Sequence, residues 1–253
     1  MKPNGAIIYE GPSELDGRNI VVIATGLNGR SRNVKTGHVI QTWILLRDIN
    51  PISATQNGAD STICGACPHR GRMTHDAFGR PTNSGRSCYV RVDQAPLNVW
   101  RSYHRGIYPR VSAADLPALL AGKTLRLGSY GDPAAIPLFV WESATQSTTA
   151  HVGYTHQWKT AAPELARYCM ASIDKACDAI AAQILGYRTF RVRQGSESLA
   201  PKEVICPASK EAGHKTTCGD CRACGGTAAR ARVNIAIIAH GGRRSNFAAN
   251  VIN

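Results

Sequence analysis

Four cysteines near the C-terminal end of the chain, Cys206, Cys218, Cys221 and Cys224, follow the pattern C-x11-C-x2-C-x2-C. Thiols at every third residue pair poorly in disulfides, but a turn through Gly219, Asp220, Arg222 and Ala223 aims them at one metal centre. Thiolate sets of this kind take tetrahedral zinc or an iron–sulfur cluster. A zinc ribbon prefers two separated C-x2-C knuckles, so the consecutive run leans toward a cluster.

A second constellation lies upstream, Cys64-Gly65-Ala66-Cys67-Pro68-His69, followed by Cys88-Tyr89. Three cysteines with His69 suit a closed zinc site, whereas three cysteines alone leave one iron of a cluster open to substrate. His75 competes with His69 for the fourth position. A plainer reading is a zinc-stapled loop, because residues 62–87 hold too few apolar side chains to pack unaided. Cys169 and Cys177 sit in apolar surroundings and read as small core hydrophobes.

The net charge is +13, from 30 Lys+Arg against 17 Asp+Glu. A field of that size attracts nucleic acid or another polyanion. Arg70, Arg72, Arg80, Arg86 and Arg91 flank the first cysteine set; Arg101, Arg105 and Arg110 follow, interleaved with Trp100, Tyr103 and Tyr108. Arginines hold phosphates and aromatic rings stack on bases, so Arg70, Arg72, Arg86, Arg101 and Arg105 are the expected nucleic-acid contacts.

The elements that must position these groups read as an alternation. Residues 19–24 and 38–46 are apolar runs of strand type, and the loop 48–87 carries the first cysteine set. Ser112 is placed to cap a short helix with Leu116, Leu119 and Leu120 on one face and Gly122 at its end. Residues 124–127, 151–158, 168–173, 187–192, 203–206 and 233–239 read as strands, residues 136–141 as helical, and 175–185 as the clearest helix, with Asp174 starting it and Gly186 ending it. Strand, helix and strand recurring in this way predict an α/β fold with a mainly parallel, barrel-like or half-barrel core and two cysteine-rich metal-binding loops.

Parallel strands gather their C-terminal ends on one face, where open sheets and barrels place active sites. Those ends are polar here. The expected mouth holds Asp132, His156, Asp174 and His240 as catalytic candidates, beside the downstream cysteine set, with Asp132 or Asp174 as general acid/base or nucleophile.

With 253 residues, 43% of them hydrophobic, the chain can bury one sizeable core. The expected organisation is a single α/β domain over 1–253, with metal-loop insertions at about 60–90 and 206–226. No run of about eighteen apolar residues is present, and the N-terminus lacks a basic start followed by an apolar stretch. A soluble protein with no membrane partner is expected. Nine cysteines at ligand spacing argue for a reducing cytoplasm rather than a disulfide framework. Walker, nucleophile-elbow, H-E-x-x-H and deaminase signatures are absent.

The strings KTGHVIQTWIL, STICGACPHRGR, GRSCYV, RLGSYGDPAAIP, VGYTHQW and VICPASKEAGHKTTCGDCRACGG resemble an uncharacterised family of tailed-phage proteins, first numbered as gene product eighty-eight in a mycobacteriophage. The likeness covers most of residues 35–241. It implies a phage origin and the cytoplasm of a bacterial host, and carries no established activity. Cys88-Tyr89 and the Gly-Asp-Pro turn after a strand are also similar to radical S-adenosylmethionine barrels, although C-x2-C-x20-C stands where those proteins have C-x3-C-x2-C. That likeness implies S-adenosylmethionine as a cofactor, with Gly128, Ser129 and Gly131 as its binding turn.

The leading expectation is a phage metalloenzyme, iron–sulfur or zinc dependent, acting on nucleic acid or nucleotides in replication or DNA modification. The alternatives are a non-catalytic nucleic-acid-binding protein stapled by zinc and a phage protein that binds a host regulator.

Overall fold

The structure is a computed structural model and describes residues 3–29 and 36–251. Runs of Ile, Val and Leu form β1 (Gly5–Pro12), β2 (Asn19–Thr25) and β3 (Val39–Leu46). Next come α1 (Pro51–Asn57), α2 (Ser61–Cys64) and a hairpin of β4 (Arg72–His75) with β5 (Pro81–Ser84). Then follow α3 (Ala95–His104), α4 (Leu116–Leu120), β6 (Thr124–Tyr130), α5 (Leu138–Thr145), β7 (Ala150–Thr155) and β8 (Met170–Ile173). The last elements are α6 (Asp178–Ile184), β9 (Thr189–Arg193), β10 (Glu203–Ile205), α7 (Cys218–Cys221), β11 (Asn234–Ile238) and α8 (Phe247–Val251).

Nine strands make one sheet in the order β1-β2-β3-β6-β7-β8-β9-β11-β10. The first three are antiparallel, and every pair from β3 to β10 is parallel. A mixed α/β architecture with a large, mostly parallel sheet is therefore what the chain adopts. The barrel does not close. At one edge the Ile7 backbone already bonds to Pro109 and Val111, and at the other β10 is only three residues long before Cys206.

Period-two alternation sorts the two faces of the sheet. Leu125 and Leu127 enter a core with Trp141, Leu116, Leu120 and the fully buried β2 residues Ile20, Val21, Val22 and Ile23. Each such side chain contributes about 1.5–3 kcal/mol by leaving water. The opposite face carries Val152, Met170, Ile235 and Ile237, and the lid on this patch is Cys206 and Cys224 rather than a helix. Edge strand β10 is tied to β9 by Arg191, whose guanidinium makes two 2.8 Å hydrogen bonds to the Glu203 carboxylate with both side chains buried.

Several local expectations change. Residues 48–87 are not an unstructured loop: a buried Asp60 carboxylate, bonded to Arg70 and Arg86, organises the segment that apolar packing could not. The helix expected over 175–185 starts at Asp178, and its Ile180 and Ile184 are exposed because Ala182, on the other side, meets the sheet. Cys177 is exposed, not core; Cys169 is fully buried as expected. Ser112 donates to the Asp115 carboxylate instead of capping a backbone N–H. Helix α3 and strand β1 have no counterpart among the expected elements. No helix among the described residues is long and apolar enough to cross a membrane.

Candidate metal and catalytic site

Strands β6, β7 and β8 end side by side; Tyr130 is the last residue of β6, and Asp132, His156 and Asp174 come within two residues after the three ends. The segment carrying Cys64 and Cys67 is laid across them. Gln157 makes the clamp: its Nε2 donates to the Cys64 carbonyl at 3.0 Å and its Oε1 accepts from the Ala66 N–H at 3.1 Å. Gly65 permits this approach, since its φ is +52° and a Cβ there would lie 2.4 Å from Gln157 Oε1. Replacing Gly65 with alanine should cost about 1–3 kcal/mol and raise the reactivity of Cys64 and Cys67 toward a thiol reagent in the folded protein.

Cys88 reaches the same place from the other side of the β4–β5 hairpin, its N–H and that of Ser87 both donating to the His69 carbonyl. Burial, then the neighbouring Cys67, Asp60 and Cys88 charges, pushes the Cys64 thiol well up, and burial raises Cys88 against the pull of Arg86. Cys64, Cys67 and Cys88 are thus near enough to act on one another's charge, but they do not form a group as tight as His69, His156 and Asp174. Around them the Tyr130 hydroxyl, Arg86 Nε and His156 Nε2 are buried without a well-formed hydrogen bond.

His69 is the expected fourth ligand of this set, but both of its ring nitrogens are engaged elsewhere. Nδ1 lies 2.7 Å from Ser87 Oγ and Nε2 lies 2.9 Å from Asp174 Oδ1. His156 is the imidazole that faces Cys67, with Nε2 also 3.5 Å from Asp174 Oδ2. Burial opposes a charge on His156, yet the Cys67 thiolate and Asp174 outweigh it and hold the ring protonated well above its ordinary range. Burial likewise opposes ionisation of Asp174, and hydrogen bonds from His156 and His69 overcome it, keeping the carboxyl well below its usual value. His75 is exposed on β4.

Asp132 has a positioning geometry. Its Oδ1 accepts from the Ala134 N–H and its Oδ2 from the His156 N–H at 2.8 Å, while burial raises its pKa. The mouth therefore forms beside the upstream cysteine set, not the downstream one as expected, because β6, β7 and β8 end there. His240 is exposed on its rim, its ring 5.3 Å from that of Tyr89. The turn glycines serve the backbone: Gly128 N–H donates to Thr42 Oγ1, Ser129 Oγ donates to Gln41, and a Cβ on Gly131, at φ +83°, would meet Ile44 at 2.6 Å.

The downstream set lies over the sheet face around β7 and β11. Thr217 caps α7, placing Cys218 and Cys221 three residues apart on one face of its single turn. Arg222, in the left-handed conformation, turns the chain back so that the Cys224 carbonyl accepts from Gly153 N–H at 3.0 Å. Arg188 holds this loop through the carbonyls of Ala223, Gly226 and Val233. Burial, joined by the charges of Cys206, Cys218 and Cys221, pushes the Cys224 thiol up to about 12 against a hydrogen bond from Tyr154.

None of the nine cysteines forms a disulfide. Among the described residues, His69, His156 and Asp174 form the group whose ligand atoms all lie within 4.8 Å of one another; no trio of thiols is that tight.

The expected arginine surface divides. Arg70 makes two hydrogen bonds to Asp60 and further bonds to Gly58 and Gly65, and Arg86 is buried against Asp60, so neither is offered to phosphate. Arg72, Arg101 and Arg105 are exposed. Trp100, Tyr103 and Tyr108 pack on the core, with Trp100 Nε1 donating to Leu46 and the Tyr103 hydroxyl to Glu10.

Fold and site together define a mostly parallel α/β protein with thiols, imidazoles and a carboxylate gathered at the C-terminal ends of its central strands. Compared with family models, curated proteins and solved structures, the chain matches none.

Proposed function

We propose that the chain is a phage-encoded metalloenzyme in which Cys64, Cys67 and Cys88 hold an iron–sulfur cluster at the mouth of a half-barrel sheet, Cys206, Cys218, Cys221 and Cys224 hold a second, and the substrate is a nucleic acid or nucleotide. What supports this reading is the pair of cysteine runs, C-x2-C-x20-C and C-x11-C-x2-C-x2-C, with Cys64 close enough to Cys67 and Cys88 to feel their charges.

Three thiolates leave one iron of a four-iron cluster without a protein ligand, and such an iron supplies a Lewis-acidic, one-electron site when bound. The remaining parts belong to the chain. His156, protonated and with Nε2 facing Cys67 and Asp174, is the proton donor nearest that space; Asp174 holds the imidazolium, and Asp132 fixes His156 through its backbone N–H. Use of S-adenosylmethionine rests on the resemblance alone, since the Gly128, Ser129 and Gly131 turn is accounted for by backbone closure.

The resemblance also makes the infected cell's reducing cytoplasm the compartment, in keeping with nine thiols held outside any disulfide. The nucleic-acid substrate rests on the net charge of +13 and on the exposed Arg72, Arg101 and Arg105. Changing Arg101 and Arg105 together to alanine should weaken binding to DNA or RNA without altering the fold. The salt slope should become shallower by about 0.9 for every phosphate the two arginines neutralise, read by filter binding at several salt concentrations.

The test of the main reading is anaerobic purification followed by iron and acid-labile sulfide analysis. Brown protein with iron and sulfide near four of each per cluster supports it; colourless protein with zinc replaces it with the zinc-stapled binding protein.

A further inference from the structure

Arg126 lies in the middle of β6, between Leu125 and Leu127, both of which enter the apolar core. Alternation sends its side chain to the opposite face of the sheet, beside its register partners Gln41 and Val152. There it stands between the two cysteine sets: Tyr89, next to Cys88, on one side, and Tyr154 with Cys218 on the other. Its Nη2 donates to the Tyr89 hydroxyl at 2.5 Å, and its Nε is buried with no hydrogen-bond partner.

A guanidinium does not give up its proton in a protein. Burying it without an opposite charge costs several kcal/mol. Arg126 is half-buried with its Nε enclosed, and the buried arginines here meet carboxylates or backbone carbonyls: Asp60 for Arg86, Glu203 for Arg191, three carbonyls for Arg188. Among the described residues no carboxylate forms an ion pair with Arg126, and its electrostatic neighbours are two phenols and a thiol.

We propose that Arg126, with the Tyr89 hydroxyl, is an oxyanion site on this face of the sheet, taking a phosphate or carboxylate group of the substrate between the two cysteine sets. The planar fork of the guanidinium suits both groups, each of which can accept two parallel N–H bonds. Tyr89 is 46% exposed, so it is a side chain that can swing away to admit the anion and return its hydroxyl as a further donor. The site deepens the reading of this region as the substrate surface, but binding of the anion itself needs no metal.

Isothermal titration calorimetry of the anaerobically purified protein with inorganic phosphate, and separately with acetate, tests the proposal and distinguishes the two anion classes. Binding of at least one anion is expected, weakened roughly 10- to 100-fold in Arg126→Gln and less in Arg126→Lys, with iron content unchanged. Tyr89→Ala, at a half-exposed position, should weaken it at least about threefold and serves if Arg126→Gln does not fold. The same affinity should persist in Cys67→Ser, so failure of the metal reading leaves this one standing. No binding by the wild-type protein, or affinity unchanged in Arg126→Gln or Tyr89→Ala, overturns it. Loss of iron with unchanged anion binding in Arg126→Gln also overturns it, assigning the guanidinium to the Cys218 thiolate.

Discussion

Replacing Cys67 with serine in the anaerobically purified protein is expected to remove the upstream cluster while leaving the downstream one in place. A serine hydroxyl stays protonated where a metal-facing thiol ionises, so two thiolates and a poor ligand would remain of the set. The downstream four cysteines lie over another part of the sheet and keep their supports, the Arg188 bonds to the loop carbonyls and the Gly153 bond to Cys224. Iron and sulfide per chain should therefore fall by about half, with the remainder lost only when Cys221 is changed as well. His156 would also lose the thiolate that favours its charge, so its pKa should move down toward the ordinary histidine range. A variant retaining full iron content would remove Cys67 from the set of ligands.

The largest stability effect is expected at Asp60. Its carboxylate is fully buried, bonded to Arg70 at 2.8 and 3.0 Å and to Arg86 at 3.1 Å. Asp60→Asn keeps the shape and removes the charge, leaving two poorly solvated guanidinium groups facing a neutral amide. Breaking a buried ion pair from one side costs about 3–5 kcal/mol. The damage should concentrate in the segment that carries the upstream thiols, because Arg70 also braces Gly58 and Gly65, the glycines on either side of α2. Urea denaturation should give a lowered midpoint, and Cys64, Cys67 and Cys88 should label faster with a thiol reagent below the transition. A change under about 1 kcal/mol would mean that Asp60 behaves like a surface pair.

The sheet strands are legible because each is a short run of β-branched or leucine residues bounded by glycine, proline or polar turns, and residues 19–24, 38–46 and 233–239 are the clearest. Strand β1 is hard to read because its apolar core is only Ala6, Ile7 and Ile8, continued by Tyr9 and Glu10. Helix α3 is hidden because its apolar positions are few and its aromatic residues resemble a surface for bases. Helix α6 misleads in the other direction: Ile180 and Ile184 have helical spacing but point to solvent, since spacing gives a stripe and not what it meets.

Both cysteine sets stand out in the sequence by their spacing, because residues two or three apart on a turn are close in space. The partners that complete the upstream site cannot. Gln157 is 91 residues from Ala66, and Asp174 is 105 residues from His69. Sequence proximity favours His69 as the ligand beside Cys67, yet strand order brings His156 there and spends His69 on Ser87 and Asp174. Arg70 and Arg86 look like phosphate contacts for a similar reason: their partner Asp60 lies 10 and 26 residues upstream, where local pattern does not register it. The signal available for His156 and Gln157 is their place directly after an apolar run of strand type, at the edge where parallel strands present functional residues.

The central claim is that two iron–sulfur clusters sit on two cysteine sets. Anomalous scattering from crystals of anaerobically purified protein, recorded on either side of the iron and zinc absorption edges, tests it most directly. The account predicts iron peaks among Cys64, Cys67 and Cys88 and among Cys206, Cys218, Cys221 and Cys224. Peaks at the zinc edge alone, or sulfurs joined in disulfides with no metal between them, would contradict it.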